Sequence, residues 1–86
     1  MPFKVELSKN ALKNLKRLDR KHIERLKEAI DEITEDPLQR NVVKLKGYEA
    51  FRKRVGDFRI IFTVNFSDSR VFIVDILPRG NAYKNL

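Results

Sequence analysis

The 86-residue chain has no cysteine and one histidine. The first absence excludes disulfides, thiolate nucleophiles and cysteine-based metal sites. The second excludes a two-histidine acid–base pair and any multi-histidine zinc site. Long apolar runs are also missing: stretches such as Val71 to Val74 fall far short of the roughly 20 residues that span a bilayer. Residues 1–9 lack the apolar segment of a secretory signal, so a cytoplasmic protein with no membrane partner is expected. Acidic residues are few beside basic ones, 12 against 19, for a net charge of +7. A domain this small buries only about 60–65% of its unfolded surface. The 42% of hydrophobic residues is still enough for a folded core and too much for a disordered chain.

The excess positive charge is uneven. Residues 1–43 carry ten basic and eight acidic side chains, whereas residues 44–86 carry nine and four. A strongly basic second half points to an anionic partner met by that half, nucleic acid being the commonest.

Phe3 to Leu7 alternates apolar and charged residues, the pattern of a half-buried strand. Ser8 suits a helix N-cap, and Ala11, Leu12, Leu15 and Leu18 share one helical face. Asp19 is positioned to cap a second helix, whose apolar stripe is Ile23, Leu26, Ile30 and Ile33; Pro37 ends it. The near absence of a linker predicts an antiparallel helical hairpin. Lys13, Lys16, Arg17, Arg20 and Lys21 read as the solvated face of the first helix, and His22 as a surface helix residue. Val42–Leu45, Phe51–Val55, Phe58–Val64 and Val71–Leu77 read as strands separated by turn residues. The expected fold is α+β: an N-terminal strand, a two-helix hairpin, then a three- or four-stranded antiparallel sheet with the helices on one face.

Side chains alternate across a strand, so the helices are expected to cover the face carrying Phe58, Ile60, Phe62 and Val64. Arg59 then stands on the open face. A tight Gly56-Asp57 turn brings Arg52 and Arg54 beside it, with Glu49 and Asp57 near enough to pair. Guanidinium groups stay charged and match phosphate oxygens through two parallel donors, so such a cluster suits a bound anion. Arg79 just past the last strand adds a fourth, and Tyr83 lies four residues on. A tyrosine there suits base stacking or proton transfer. Lys44 and Lys46 either extend the basic surface or are merely solvated. Lys53 falls on the face assigned to the helices, where an apolar residue is expected; it snorkels at an edge or the register differs.

Val43-Lys44-Leu45-Lys46-Gly47, followed by Phe51-Arg52-Lys53-Arg54-Val55-Gly56-Asp57-Phe58-Arg59-Ile60-Ile61-Phe62 and the ending Leu77-Pro78-Arg79-Gly80-Asn81-Ala82-Tyr83-Lys84, resembles the RelE/ParE toxin superfamily, the ending being similar to archaeal RelE proteins. The resemblance covers essentially the whole chain. It implies a toxin of a type II toxin–antitoxin module that enters the ribosomal A site and cuts mRNA. It also implies that no metal or cofactor takes part: the ribose 2′-hydroxyl attacks the adjacent phosphate. By the same resemblance, Arg52 and Arg54 match the basic positions of the central strand and Arg59 the phosphate-stabilising arginine. Arg79 and Tyr83 match basic and tyrosine positions of the C-terminal segment. The partners it implies are the ribosome, mRNA and a RelB-like antitoxin that wraps the toxin. Two features depart from the family pattern. Arginine replaces a lysine often found at position 52 or 54, leaving Tyr83 as the one candidate base, and Asn81 replaces a second basic residue. A ParE-like inhibitor of DNA gyrase and a catalytically inert nucleic-acid or partner-binding module are the alternatives on the same fold.

Overall fold

The computed structural model describes residues 2–39, 41–47 and 49–78. In chain order the elements are β1 (Lys4–Leu7), α1 (Lys9–Lys16), α2 (Arg20–Glu35), β2 (Val42–Lys44), β3 (Phe51–Val55), β4 (Phe58–Asn65) and β5 (Arg70–Pro78). Among the described residues the strands form one five-stranded sheet in the order β1-β5-β4-β3-β2. Strands β2 to β5 make the expected antiparallel meander. β1 joins it as a fifth strand, parallel to β5.

The Ser8 side chain starts α1. Its hydroxyl accepts from the Ala11 backbone N–H at 3.0 Å and donates to the Val74 carbonyl at 2.6 Å. One residue thus caps a helix and ties it to β5. β5 carries an extra residue there, because Ile61 pairs with Asp75 but Phe62 pairs with Ile73. This bulge bends the strand just past the end of β1. α1 follows that uncovered stretch, and Asn14 Nδ2 donates to Asp75 Oδ1 at 2.8 Å and to the Ile76 carbonyl at 3.2 Å. Asp19 occupies the N-cap position of α2 as expected but makes no capping bond with its side chain. Its carboxylate instead takes the His22 ring, and this hydrogen bond, aided by the nearby imidazole charge, holds the Asp19 carboxyl below the ordinary aspartate range.

The helices cover the predicted face. Ala11 and Leu15 of α1, and Leu26, Ala29, Ile30 and Ile33 of α2, are buried with Ile60, Phe62, Val71, Ile73 and Ile76 of the sheet. Phe51 stacks on Phe62 with ring centroids 5.8 Å apart. Full burial of an aliphatic or phenyl side chain is worth about 1.5–3 kcal/mol, and no one-residue slip of β4 preserves it.

Lys53 belongs to this buried layer. It pairs with Ile60 in the register and is 3% exposed. The register expected from alternation therefore holds, and the lysine is accommodated by partners instead of by a sheet edge. Its Nζ lies 3.0 Å from Glu32 Oε1 and donates to Gln39 Oε1 at 3.1 Å. Glu32 is largely solvent-exposed, so it screens the ammonium while staying hydrated itself. Replacing a buried ion pair by an apolar side chain is often neutral or stabilising, whereas removing one partner is not. Lys53→Met is therefore expected to match or exceed wild-type stability. Glu32→Ala should lose about 1 kcal/mol, the exposed carboxylate limiting the effect, or about 4–8 °C in Tm for a domain of this size. Denaturant and thermal unfolding check both, and a lower stability of Lys53→Met than of Glu32→Ala would contradict this reading of the pair.

Candidate nucleic-acid interface

The hairpin between β3 and β4 determines where the arginines stand. Val55 pairs with Phe58 across a two-residue turn. Gly56 takes φ +57° while Asp57 stays negative, the pattern of a type II′ turn whose twist matches the flanking strands. From this closure Arg54 falls directly opposite Arg59, and Arg52 opposite Ile61. Directly opposed side chains share a face, with Cβ atoms about 5 Å apart. Ile60 and Phe62 point into the core, so Arg52, Arg54 and Arg59 all stand on the other side, the open face.

Arg54 is exposed, whereas Arg52 and Arg59 are half-buried, and the Nε of Arg59 is shut off from solvent. Opposed like charges on a sheet are destabilising, so Arg54 and Arg59 oppose folding where they stand. The expected pairing of Glu49 or Asp57 with this cluster does not reach Arg52 or Arg54, which make no ion pair among the described residues. Beside them runs a groove of about 640 Å³ lined by Asn41, Val43, Arg52, Arg54 and Gly56. Val43 pairs with Arg52 and is half exposed, giving the groove one apolar wall. The arrangement is an open shelf with two free guanidinium groups and a third beside them. It suits an extended anion more than a small enclosed one.

The other candidates divide. Lys44 pairs with Phe51, whose ring faces the core, so alternation turns Lys44 to the helix side of edge strand β2, away from Arg52 and Arg54. It therefore does not extend the arginine face. Lys46 is exposed in the turn after β2. Arg79 and Tyr83, like Asn81, lie outside the described residues. The last described residue, Pro78, pairs with Phe58, and Leu77 pairs with Arg59. His22 is not a plain surface residue: its ring meets the edge of Phe58 at a centroid distance of 5.1 Å, which ties α2 to the same hairpin. Arg25 escaped the sequence reading. Its guanidinium lies over the turn so closely that a Cβ on Gly56 would come 3.4 Å from Nη1. No local sequence pattern links positions 25 and 56; only the packing of α2 over the hairpin does.

Comparisons with known proteins agree with this architecture. Residues 5–83 match a family profile described as the ParE toxin of the type II toxin–antitoxin system parDE. Over 89 aligned residues the chain is 36% identical to RelE1 of Methanocaldococcus jannaschii, covering 99% of each. The chain is also similar to a protein in the crystal structure of the archaeal RelE–RelB complex from Pyrococcus horikoshii, at 33% identity and TM-score 0.83, covering 94% of this chain and 99% of that one. A chain of the RelB–RelE antitoxin–toxin complex from Methanococcus jannaschii is similar at 27% identity and TM-score 0.74, covering 93% and 96%.

If the arginine pair exists to meet an anion, Arg54→Gln relieves the repulsion and removes a ligand together. In chloride the variant should be as stable as wild type or more so, by up to about 1 kcal/mol. Phosphate at matched ionic strength should raise the wild-type Tm more than that of the variant. Thermal melts in the two salts check this, and an equal phosphate effect in both proteins would contradict it.

Proposed function

The chain belongs to the ParE/RelE toxin family of type II toxin–antitoxin systems, and from that premise we propose that it is a ribosome-dependent endoribonuclease. Its substrate on this reading is mRNA in the ribosomal A site. The observation that carries the proposal is the convergence of Arg52, Arg54 and Arg59 on one open sheet face beside an open groove.

The chemistry follows from what such a face offers. In the proposed reaction the ribose 2′-oxygen bonds to the neighbouring phosphorus as the bond to the 5′-oxygen breaks. The products are a 2′,3′-cyclic phosphate and a 5′-hydroxyl. Negative charge builds on the phosphoryl oxygens along this path, and fixed donors aimed at it lower the barrier. Arg59, half-buried, has less water competing for its donors; Arg52 and Arg54 flank it and hold the backbone in register. The proton that leaves the 2′-hydroxyl needs an acceptor, and arginine does not serve because it stays protonated. We assign that task to Tyr83 in its ionised, phenolate form, with water giving the departing 5′-oxygen its proton, and a further phosphate contact to Arg79. Alignment of the 2′-oxygen with the scissile bond falls largely to the ribosome, which holds the codon.

An antitoxin partner belongs to the same proposal, since the archaeal relatives were solved as RelE–RelB complexes. An acidic, partly helical chain that wraps the toxin and covers Arg52, Arg54 and Arg59 would block mRNA and neutralise the repulsion between opposed arginines. Such a contact weakens steeply with salt.

The test is mRNA cleavage in a reconstituted translation system, with primer extension to locate the cuts. Wild type should cut only on translating ribosomes. Arg59→Ala should cut roughly 10²–10³ times more slowly, the scale of removing one preorganised donor, while remaining folded. Absence of cleavage by folded wild type would overturn the nuclease reading. Inhibition of gyrase supercoiling in a parallel assay would then favour the ParE-like alternative.

A further inference from the structure

Phe72 is a large aromatic residue on the open face of the sheet that the cleavage chemistry does not use. On β5 it pairs with Thr63 of β4, and it also pairs with Glu6 of β1. It is 40% exposed, while its neighbours Val71 and Ile73 are buried. The position is therefore fixed: a one-residue slip that hid Phe72 would expose both neighbours. Its ring stands on an uncovered sheet face, where a ligand can reach it.

A groove of about 440 Å³ runs beside the ring, lined in part by Lys4, Glu6, Thr63, Asn65 and Arg70. Several of these groups are engaged. Asn65 holds the turn after β4, donating to Asp68 Oδ2 at 3.2 Å and accepting from the Asp68 backbone N–H at 3.1 Å. Arg70 pairs with Glu6 at 3.3 Å. The Thr63 hydroxyl and the Lys4 ammonium have no such partner among the described residues. The groove thus offers a flat ring, one hydroxyl that both donates and accepts, and one free cation. A planar nucleobase on a charged backbone matches that set. Bases stack on exposed sheet aromatics without needing a particular sequence.

The groove also continues the arginine face. Arg59, Ile61 and Thr63 alternate along the same side of β4, so Thr63 lies about 13 Å from Arg59 along the strand. One short single strand spans both. On the RNA-binding reading given above, we propose that Phe72 is a stacking platform for a nucleobase of the same RNA whose backbone lies on Arg52, Arg54 and Arg59. The site takes a base one or more nucleotides from the scissile phosphate, and the Thr63 hydroxyl meets its edge.

The test is binding of the free, full-length toxin to a short fluorescein-labelled single-stranded RNA, made uncleavable by 2′-deoxy substitution and followed by anisotropy. Phe72→Ala should weaken binding by about 5- to 100-fold, the range expected for losing one stacked base. Phe72→Tyr should stay near wild type, because a phenol stacks as phenyl does. An abasic nucleotide scanned through the RNA should weaken wild type at one position and have no further effect there on Phe72→Ala. Wild-type RNA affinity in Phe72→Ala would overturn the proposal. So would a loss confined to antitoxin binding, which would mark the groove as a protein-docking site. The triple variant Arg52→Ala/Arg54→Ala/Arg59→Ala separates the two levels. If it binds RNA like wild type, the RNA reading itself fails; if it is weakened while Phe72→Ala is not, only the stacking site fails.

Discussion

Burial of Ile60 and Phe62 against α1 and α2 is the constraint on which the rest depends. Those two residues fix which side of β4 is dry. Alternation then sends Arg59, Ile61 and Thr63 to the wet side, and the tight Gly56-Asp57 turn carries the same division across to β3. Arg52 and Arg54 have no other place to go once Val55 pairs with Phe58. The proposed chemistry thus rests on a packing decision made on the opposite face of the sheet. A core with little to spare holds opposed guanidinium groups that repel each other, which is tolerable because only β3 and β4 carry them and each strand is anchored by buried neighbours.

Lys53 shows how closely the two faces are linked. It lies between Arg52 and Arg54 in sequence and points the other way, into a layer that is otherwise apolar. Glu32 and Gln39 compensate it, so the most buried cation of the strand is already neutralised by α2 and the loop after it. Arg52 and Arg54 make no such pair among the described residues. The protein therefore commits the Glu32 carboxylate to the cation that cannot reach solvent and leaves Arg52 and Arg54 available to a partner.

Much of this was legible from spacing alone. The five strands, the two helices, the covered face and the grouping of Arg52, Arg54 and Arg59 follow from periods of 2 and 3.6 and from one turn. Other features need three-dimensional information. The parallel pairing of β1 with β5 joins residues far apart in sequence, and the bulge in β5 that makes room for Ser8 has no local signature. Spacing left open whether Lys44 extends the basic surface or is merely solvated; in a three-residue edge strand a shift of one position decides the face, and its pairing with Phe51 turns it to the helix side. Asp19 sits where a cap belongs, yet the nearby His22 ring competes successfully for its carboxylate. Arg25 comes to the hairpin only because α2 crosses it and Gly56 leaves the space.

The central claim is that RNA meets the open face through its arginines and not through the basic exposed side of α1. Nuclear magnetic resonance of the isotopically labelled toxin, titrated with an uncleavable single-stranded RNA, tests it most directly. The predicted result is that the Arg52, Arg54 and Arg59 side-chain resonances and the amides of β3 and β4 shift together, while Lys13, Lys16 and Arg17 do not. Shifts confined to the helices, with the sheet arginines unmoved, would contradict it.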